Sequence, residues 1–142
     1  MATQMFVNLP VKDLDRTMSF FTALGFSFNP QFTNETAACM IINDDCFVML
    51  LREEFFKSFT VKPIADATKT TEVLISLSRE SKQDVIDTVD KAVKAGGTSP
   101  NPAQDHGWMY QHGFQDLDGH VWEVAFMDQV AAAEFFANQE NN

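Results

Sequence analysis

A turn followed by a strand decides the fold of this chain, in the stretch Asp116-Leu117-Asp118-Gly119-His120-Val121-Trp122-Glu123-Val124. Side chains on a strand alternate between two faces, so Glu123 shares a face with Val121 and Ala125. Trp122, Val124 and Phe126 lie on the other face and are predicted to form core. Glu123 is therefore predicted to point into whatever the sheet encloses.

The same pattern of elements occurs twice in the chain. Each half begins with a strand, continues with a helix that ends at glycine, and closes with a group of strands. The two helix-ending glycines, Gly25 and Gly96, are separated by half of the 142 residues. Asp13 is placed to cap the first helix, and Ser81 begins the second. The repeat predicts an α+β fold in which two βαβββ modules form a curved mixed sheet.

The module boundaries follow from the turn signals. We predict one domain over residues 1–142, with halves at about 1–52 and 71–128, a linker at 53–70 and a C-terminal helical tail at 129–142. The linker carries three phenylalanines, which fit either a short helix over a cavity mouth or packing against the sheet edge: Phe55, Phe56 and Phe59. In the first half, residues 26–32, 36–42 and 46–51 are predicted strands. The tail's Phe135 and Phe136 fit docking on the body or on a partner subunit.

Composition limits the class of protein. A 45% hydrophobic content with 14 Phe supports a real core, and the net charge of -10 opposes a nucleic-acid backbone. No basic leader and no apolar run long enough for a bilayer is visible, so we expect no membrane partner. Two cysteines, Cys39 and Cys46, give no disulfide framework and fit a reducing cytosol. A cytoplasmic protein that binds neither nucleic acid nor membrane is expected.

These residues resemble the vicinal-oxygen-chelate superfamily, which includes glyoxalase I, extradiol dioxygenases, fosfomycin-resistance enzymes and bleomycin-resistance proteins. Glu123 is placed like the last metal ligand of that superfamily. Residues 6–16 and the run Phe20 to Phe26 are similar to its opening strand, Asp-capped helix and "F-Y-x-x-L-G-F" helix end. The resemblance covers nearly the whole chain and implies the two-module fold and a homodimer.

The superfamily's metal ligands can be placed on this chain by the same resemblance. Its catalytic members hold a metal with three or four His or Glu side chains from both halves. Three of the matching positions here are Phe6, Met49 and Leu74, and only Glu123 retains a ligand. The first half contains no histidine, and the histidines of the second half are predicted to have surface or hydrogen-bonded roles: His106, His112 and His120. We therefore expect no metal and no cofactor.

The predicted cavity takes residues from both halves. Asn8 shares a strand face with Phe6, whereas Trp108, Tyr110 and His112 lie opposite to Met109 and Gln111 on a late strand. Which of the two latter sets faces inward stays open, because Gly113 is compatible with a bulge. With the even-numbered set inward, the cavity is mostly apolar and the ligand-binding residues are Phe6, Asn8, Met49, Leu74, Trp108, Tyr110, His112 and Glu123.

Glu123 has two interpretations. It either contacts a ligand, or it has a structural role in which Asn8, Gln115, Arg79 or water satisfies its carboxylate. Two function classes follow. The first is a metal-free protein that binds a small aromatic or cationic organic molecule, as resemblance to the dimeric, acidic bleomycin-resistance branch implies.

The second class is a lactoylglutathione-lyase-like or dioxygenase-like enzyme with Glu123 as its catalytic base. Proton abstraction beside a carbonyl needs an electrophile to stabilise the enolate, and the sequence shows no suitable pair of cationic or metal groups. We rank the enzyme second, and the sequence names no substrate.

Overall fold

The computed structural model of the protein describes residues 3–140 and divides the chain into two compact units, Met1–Thr70 and Thr71–Asn142. The first unit contains β1 (Met5–Val11), α1 (Leu14–Ala23), β2 (Ser27–Phe28), a 3₁₀ turn (Pro30–Phe32), β3 (Ala37–Asn43), β4 (Cys46–Arg52) and α2 (Glu53–Lys57). The second contains β5 (Leu74–Ser78), α3 (Lys82–Lys94), β6 (Gln104–Asp105), β7 (Met109–Gln115), β8 (Val121–Met127) and α4 (Gln129–Glu140).

Each unit is built on one four-stranded mixed sheet. The strand orders are β1-β4-β3-β2 and β5-β8-β7-β6, so the two units have the same topology. In each sheet the first strand pairs in parallel with the last long strand, and the other pairs are antiparallel. The predicted α+β fold of two βαβββ modules is confirmed.

The two long module helices start and stop where the sequence predicts. The Asp13 carboxylate accepts a hydrogen bond from the Arg16 backbone N–H at 3.1 Å, and the Ser81 hydroxyl accepts one from the Asp84 N–H at 3.0 Å. These side chains satisfy backbone donors that a helix N-terminus leaves free. Just beyond the C-termini, Gly25 and Gly96 have φ angles of 100° and 109°, which favour glycine.

One face of each sheet packs on its module helix. In the first unit, Leu9, Val48 and Leu50 are buried on the face that also carries Met40. In the second unit the buried strand side chains are those of Phe114, Trp122 and Val124, and α3 contributes Val85 and Val89. The prediction that this strand face forms core is therefore confirmed for Trp122 and Val124, whereas Phe126 is half-buried.

The observed strands differ from the predicted ones in two places. The predicted strand over residues 26–32 is limited to Ser27–Phe28, because Asn29 accepts from the Gln31 N–H and a 3₁₀ turn begins at Pro30. Proline at the start of such a turn loses no backbone hydrogen bond. The short strand Gln104–Asp105, which pairs with β7, was not predicted.

The segments outside the sheets are partly helical. The linker begins with α2, whose Phe55 contacts Phe59 at a ring distance of 5.0 Å. In the tail, Phe135 and Phe136 pack on Trp108 at ring distances of 5.4 and 5.1 Å, so α4 docks on the body of its own unit. No helix within residues 3–140 combines the length and the apolar character that crossing a membrane requires.

Candidate functional site

A cavity of about 390 Å³ opens on the sheet of the second unit, on the face opposite α3. Its wall is formed by β5, β7, β8 and the segment that precedes β7. The lining residues that carry the following arguments are Leu74, Asn101, Gln111, Gly113, Gln115 and Glu123. The volume lies within the usual range of small-molecule sites, which is about 300 to 1,000 Å³.

Glu123 lies in the middle of the cavity wall. Its partner across the β7–β8 ladder is Gly113, so no side chain stands opposite the carboxylate. A Cβ atom at Gly113 would lie 3.1 Å from the Trp122 carbonyl oxygen and 3.9 Å from Cγ of Glu123. The register runs through Gly113 without a shift, so the bulge considered at this position is absent from the described strands.

Two neutral side chains hold the Glu123 carboxylate. Ser76 Oγ donates to Oε2 at 3.3 Å, and Gln111 Nε2 donates to the same oxygen at 3.2 Å. The sequence analysis did not identify either donor. Residues two apart on a strand share a face, so Ser76 lies on the face of Leu74 and Gln111 on the face of Gly113, which is also the face of Glu123. Arg79, one of the predicted partners, instead donates from Nε to Thr88 Oγ1 at 3.2 Å.

The predicted residues of the first unit share one face of their sheet. Asn8 pairs with Met49 across β1 and β4, and Phe6 pairs with Phe47. The Phe6 and Phe47 rings stack at 5.0 Å, and Phe6 remains 49% exposed. Asn8 donates to the Phe6 carbonyl oxygen at 3.4 Å. Phe6, Asn8 and Met49 therefore lie together within their unit, as the strand alternation predicts.

The even-numbered side chains of β7 do not share the Glu123 face. Tyr110 pairs with Phe126 and His112 with buried Val124, so both lie on the α3 side of the sheet. Tyr110 lies under Lys82 Nζ at 4.8 Å. This placement corrects the alternative that Tyr110 and His112 turn inward with Glu123, since residue pairs across a ladder share a face. Trp108 precedes β7, and its ring packs on α4. Their ligand-binding role stays a prediction.

His112 reaches the cavity edge but is engaged in a local network. Its Nε2 lies 3.0 Å from Ser99 Oγ and 2.9 Å from the Asn101 carbonyl oxygen. Ser99 donates its own hydrogen to the Gly113 carbonyl oxygen at 2.7 Å. Because Asn101 O only accepts, Nε2 must carry the hydrogen, and the imidazole ties the segment before β7 to the strand. The predicted hydrogen-bonded role of His112 is confirmed.

Asp116 organises the turn that precedes Glu123. Its carboxylate accepts from the backbone N–H groups of Asp118 and His120 at 2.9 and 3.0 Å, and from Trp122 Nε1 at 3.0 Å. Asp116 is only 5% exposed, and this burial raises the pKa of its carboxyl, an effect that nearby His120 opposes. The sequence marked this segment as a turn but did not identify Asp116 as its anchor.

The described residues do not fit a divalent metal. Within residues 3–140, no three His, Cys, Asp or Glu side chains come together as a ligand set. Glu123 accepts hydrogen bonds from the Ser76 hydroxyl and from the Gln111 amide nitrogen. An amide nitrogen that donates a hydrogen bond cannot act as a metal ligand. Leu74, on the same sheet face, provides no donor atom. No step that requires a metal can be derived from these side chains.

A family model and solved structures are similar to this chain. Residues 3–43 match the family model described as bleomycin resistance protein-like N-terminal. A solved hypothetical protein from S. aureus is 30% identical, with a TM-score of 0.75 over 89% of this chain and 95% of that one. No curated protein matches.

Two further solved structures share the fold. A glyoxalase/bleomycin resistance protein/dioxygenase family enzyme from Burkholderia phytofirmans PsJN is 16% identical, with a TM-score of 0.73 over 89% of this chain and 99% of that one. A glyoxalase-related enzyme from Fulvimarina pelagi is 19% identical, with a TM-score of 0.74 over 89% and 88%. At these identities the likeness concerns the fold alone.

Proposed function

This chain belongs to the vicinal-oxygen-chelate superfamily, and from that premise we propose that it is a metal-free binding protein for a small aromatic or cationic organic molecule. The ligand occupies the cavity on the second sheet, with Glu123 as its polar anchor. Within residues 3–140 Glu123 forms no ion pair, and this is the observation that carries the proposal.

The physical argument rests on the cost of removing a charge from water. A ligand that fills the cavity excludes water from the half-buried carboxylate, and two neutral donors on one oxygen compensate this only in part. A cationic group on the ligand supplies the missing charge. The net charge of -10 adds a favourable long-range potential for such a ligand.

The enzyme alternative has less support from the site. General-base catalysis by Glu123 would require a group that stabilises the negative charge developing on the substrate. The two side chains that hydrogen-bond Glu123, Ser76 and Gln111, already donate to the base itself. A lyase-like or dioxygenase-like activity therefore remains our second hypothesis, and assay of the purified protein for turnover would establish it.

Two further parts of the proposal concern the setting of the protein. We propose a homodimer, on the basis of the superfamily resemblance, and a cytoplasmic location, on the basis of two free cysteines in a chain with no disulfide. The cavity described above belongs to one unit. The ligand-binding role of Phe6, Asn8 and Met49, which lie on one sheet face of the first unit, is likewise part of the proposal.

Calorimetric titration of wild type and Glu123→Gln tests the binding site, with cationic and neutral aromatic compounds found by thermal-shift screening. Loss of the charge should weaken a cationic ligand by roughly 2 to 5 kcal/mol. A neutral ligand held by one hydrogen bond should lose only about 0.5 to 1.5 kcal/mol. The control is Glu134→Gln on α4, an exposed residue with the same change of charge. Equal affinities in wild type and Glu123→Gln for every compound would exclude Glu123 as the anchor.

Elemental analysis tests the metal-free part of the proposal. Protein purified without chelator should contain no stoichiometric zinc, nickel, iron or manganese, because Phe6, Met49 and Leu74 stand at the ligand positions of the resemblance. A content near one metal ion per chain that disappears in Glu123→Ala would contradict it.

A further inference from the structure

Gln111 and Glu123 together present two oxygen atoms that only accept hydrogen bonds. The amide of Gln111 donates from Nε2 to Glu123 Oε2 at 3.2 Å. Neither carboxylate oxygens nor an amide carbonyl can donate, so Nε2 must face Glu123 and the amide Oε1 is turned away from it. We call Oε1 of Gln111 and Oε1 of Glu123 the acceptor pair.

The acceptor pair is open to the cavity. Within residues 3–140, neither oxygen takes part in a hydrogen bond. Among the described residues that are buried or half-buried, every side-chain oxygen or nitrogen atom that solvent cannot reach has a hydrogen-bond partner. Because these two oxygens have none, solvent must reach them. Both side chains line the cavity. A ligand that excludes solvent from the pair must therefore supply hydrogen-bond donors in its place.

We infer that the acceptor pair selects a ligand whose cationic group carries at least two N–H donors, an amidinium, guanidinium or primary ammonium group, over a cation of equal charge without N–H. The inference rests on the proposed binding function and narrows its ligand class. A quaternary ammonium group would meet the charge of Glu123 but would leave both oxygens without a donor. Each acceptor left unsatisfied in a dry contact weakens binding by roughly fivefold or more.

The strand register provides a matched control for Gln111. Across the β7–β8 ladder Gln111 pairs with Ala125 and Gln115 pairs with Val121, so the two glutamines flank Gly113, the partner of Glu123. Both line the cavity, and the hydrogen bond to Glu123 comes from Gln111. The same substitution at the two positions therefore alters the cavity wall in both cases, and at position 111 it also removes the hydrogen bond to Glu123.

The test compares benzamidine with benzyltrimethylammonium, two aromatic cations of which only the first has N–H groups. Both are titrated into the full-length wild type, Gln111→Met and Gln115→Met, with binding followed by calorimetry. We expect wild type to bind benzamidine about tenfold or more tightly than the quaternary cation. Gln111→Met should lose about tenfold for benzamidine and less than about twofold for the quaternary cation. Gln115→Met should change both by the same factor, so that the ratio of the two affinities stays as in wild type.

Equal affinity of wild type for the two cations overturns the inference, and this comparison needs no variant to fold. The inference is also overturned if Gln111→Met and Gln115→Met lose affinity for benzamidine by equal factors. Absence of benzamidine binding to wild type at millimolar concentration overturns it as well. Titration of Glu123→Gln separates these results from failure of the proposed function. If that variant loses affinity for both cations, the proposed binding function stands even where the inferred selectivity for N–H donors is wrong. If it binds both as wild type does, the proposed function is wrong as well.

Discussion

The two carboxylates of the β7–β8 hairpin, Asp116 and Glu123, are held in opposite ways. Asp116 is buried and accepts three N–H donors at 2.9 to 3.0 Å, divided between its two oxygens. Glu123 is half-buried and accepts two side-chain donors at 3.2 to 3.3 Å, both on one oxygen. Both oxygens of Asp116 are engaged in hydrogen bonds that hold the fold, whereas one oxygen of Glu123 has no hydrogen bond among the described residues and is available to a ligand.

The two carboxylates are also linked by the hairpin. Trp122 donates to Asp116 and stacks with Phe114 at a ring distance of 6.3 Å, which fixes the strand on its core side. Because neighbouring strand residues point to opposite faces, fixing Trp122 inward turns Glu123 toward the cavity. The structural carboxylate therefore positions the candidate ligand anchor.

The largest effect is expected from Asp116→Ala. Three N–H groups lose their acceptor, and each buried donor without a partner destabilises the fold by roughly 1 to 3 kcal/mol. Water that enters the vacated space offsets part of this loss. We expect the free energy of unfolding to fall by about 3 to 5 kcal/mol in urea denaturation. Asp90→Ala, at an exposed position of α3, is the control and should change it by less than about 0.5 kcal/mol. A loss below about 1 kcal/mol in Asp116→Ala would remove the contrast between the two carboxylates.

A smaller effect concerns the pH dependence of stability. Burial raises the pKa of Asp116 in the folded protein above the value of about 3.9 expected in the unfolded chain. Between these two values the folded state binds more protons, so the free energy of unfolding falls as the pH rises. The contribution of Asp116 is thus complete below about pH 3.9 and is lost as the pH passes the raised pKa.

Asp116→Asn isolates this contribution, because it cannot titrate. The stability of wild type minus that of Asp116→Asn, measured by urea unfolding at a series of pH values, should decrease with pH and become constant above the raised pKa. A difference that increases with pH would mean that the folded protein lowers the pKa of Asp116, as hydrogen bonds to an accessible carboxylate do.

The fold was predictable because its signals are local and repeated. Capping by Asp13 and Ser81, with glycine after each helix, gives two copies of one module, and strand alternation then separates Trp122 from Glu123. One exception is Asn29-Pro30, where two turn-forming residues shorten a predicted strand to Ser27–Phe28.

The candidate site was less predictable, because it depends on pairing between strands. Alternation within β7 identifies two sets of side chains but not which set faces Glu123, and only the pairing of Gly113 with Glu123 decides this. The same pairing places Gln111 beside the carboxylate. Asp116 was missed for a related reason, since its three donors become its neighbours only when the turn closes.

The smallest effect on stability is expected from Glu123→Gln, and it is the sharpest test of the comparison. The amide has the same size, its carbonyl oxygen accepts from Ser76 or Gln111, and the lost charge leaves no described cation unpaired. Removal of one negative charge from a chain of net charge -10 also reduces repulsion. We expect the free energy of unfolding to rise or fall by no more than about 0.5 kcal/mol in urea denaturation, as in the Glu134→Gln control. A fall of about 2 kcal/mol or more would place Glu123 with Asp116 as a structural carboxylate. A neutral result together with lost affinity for a cationic ligand would instead assign the negative charge of Glu123 to binding, because a residue that serves function need not stabilise the fold.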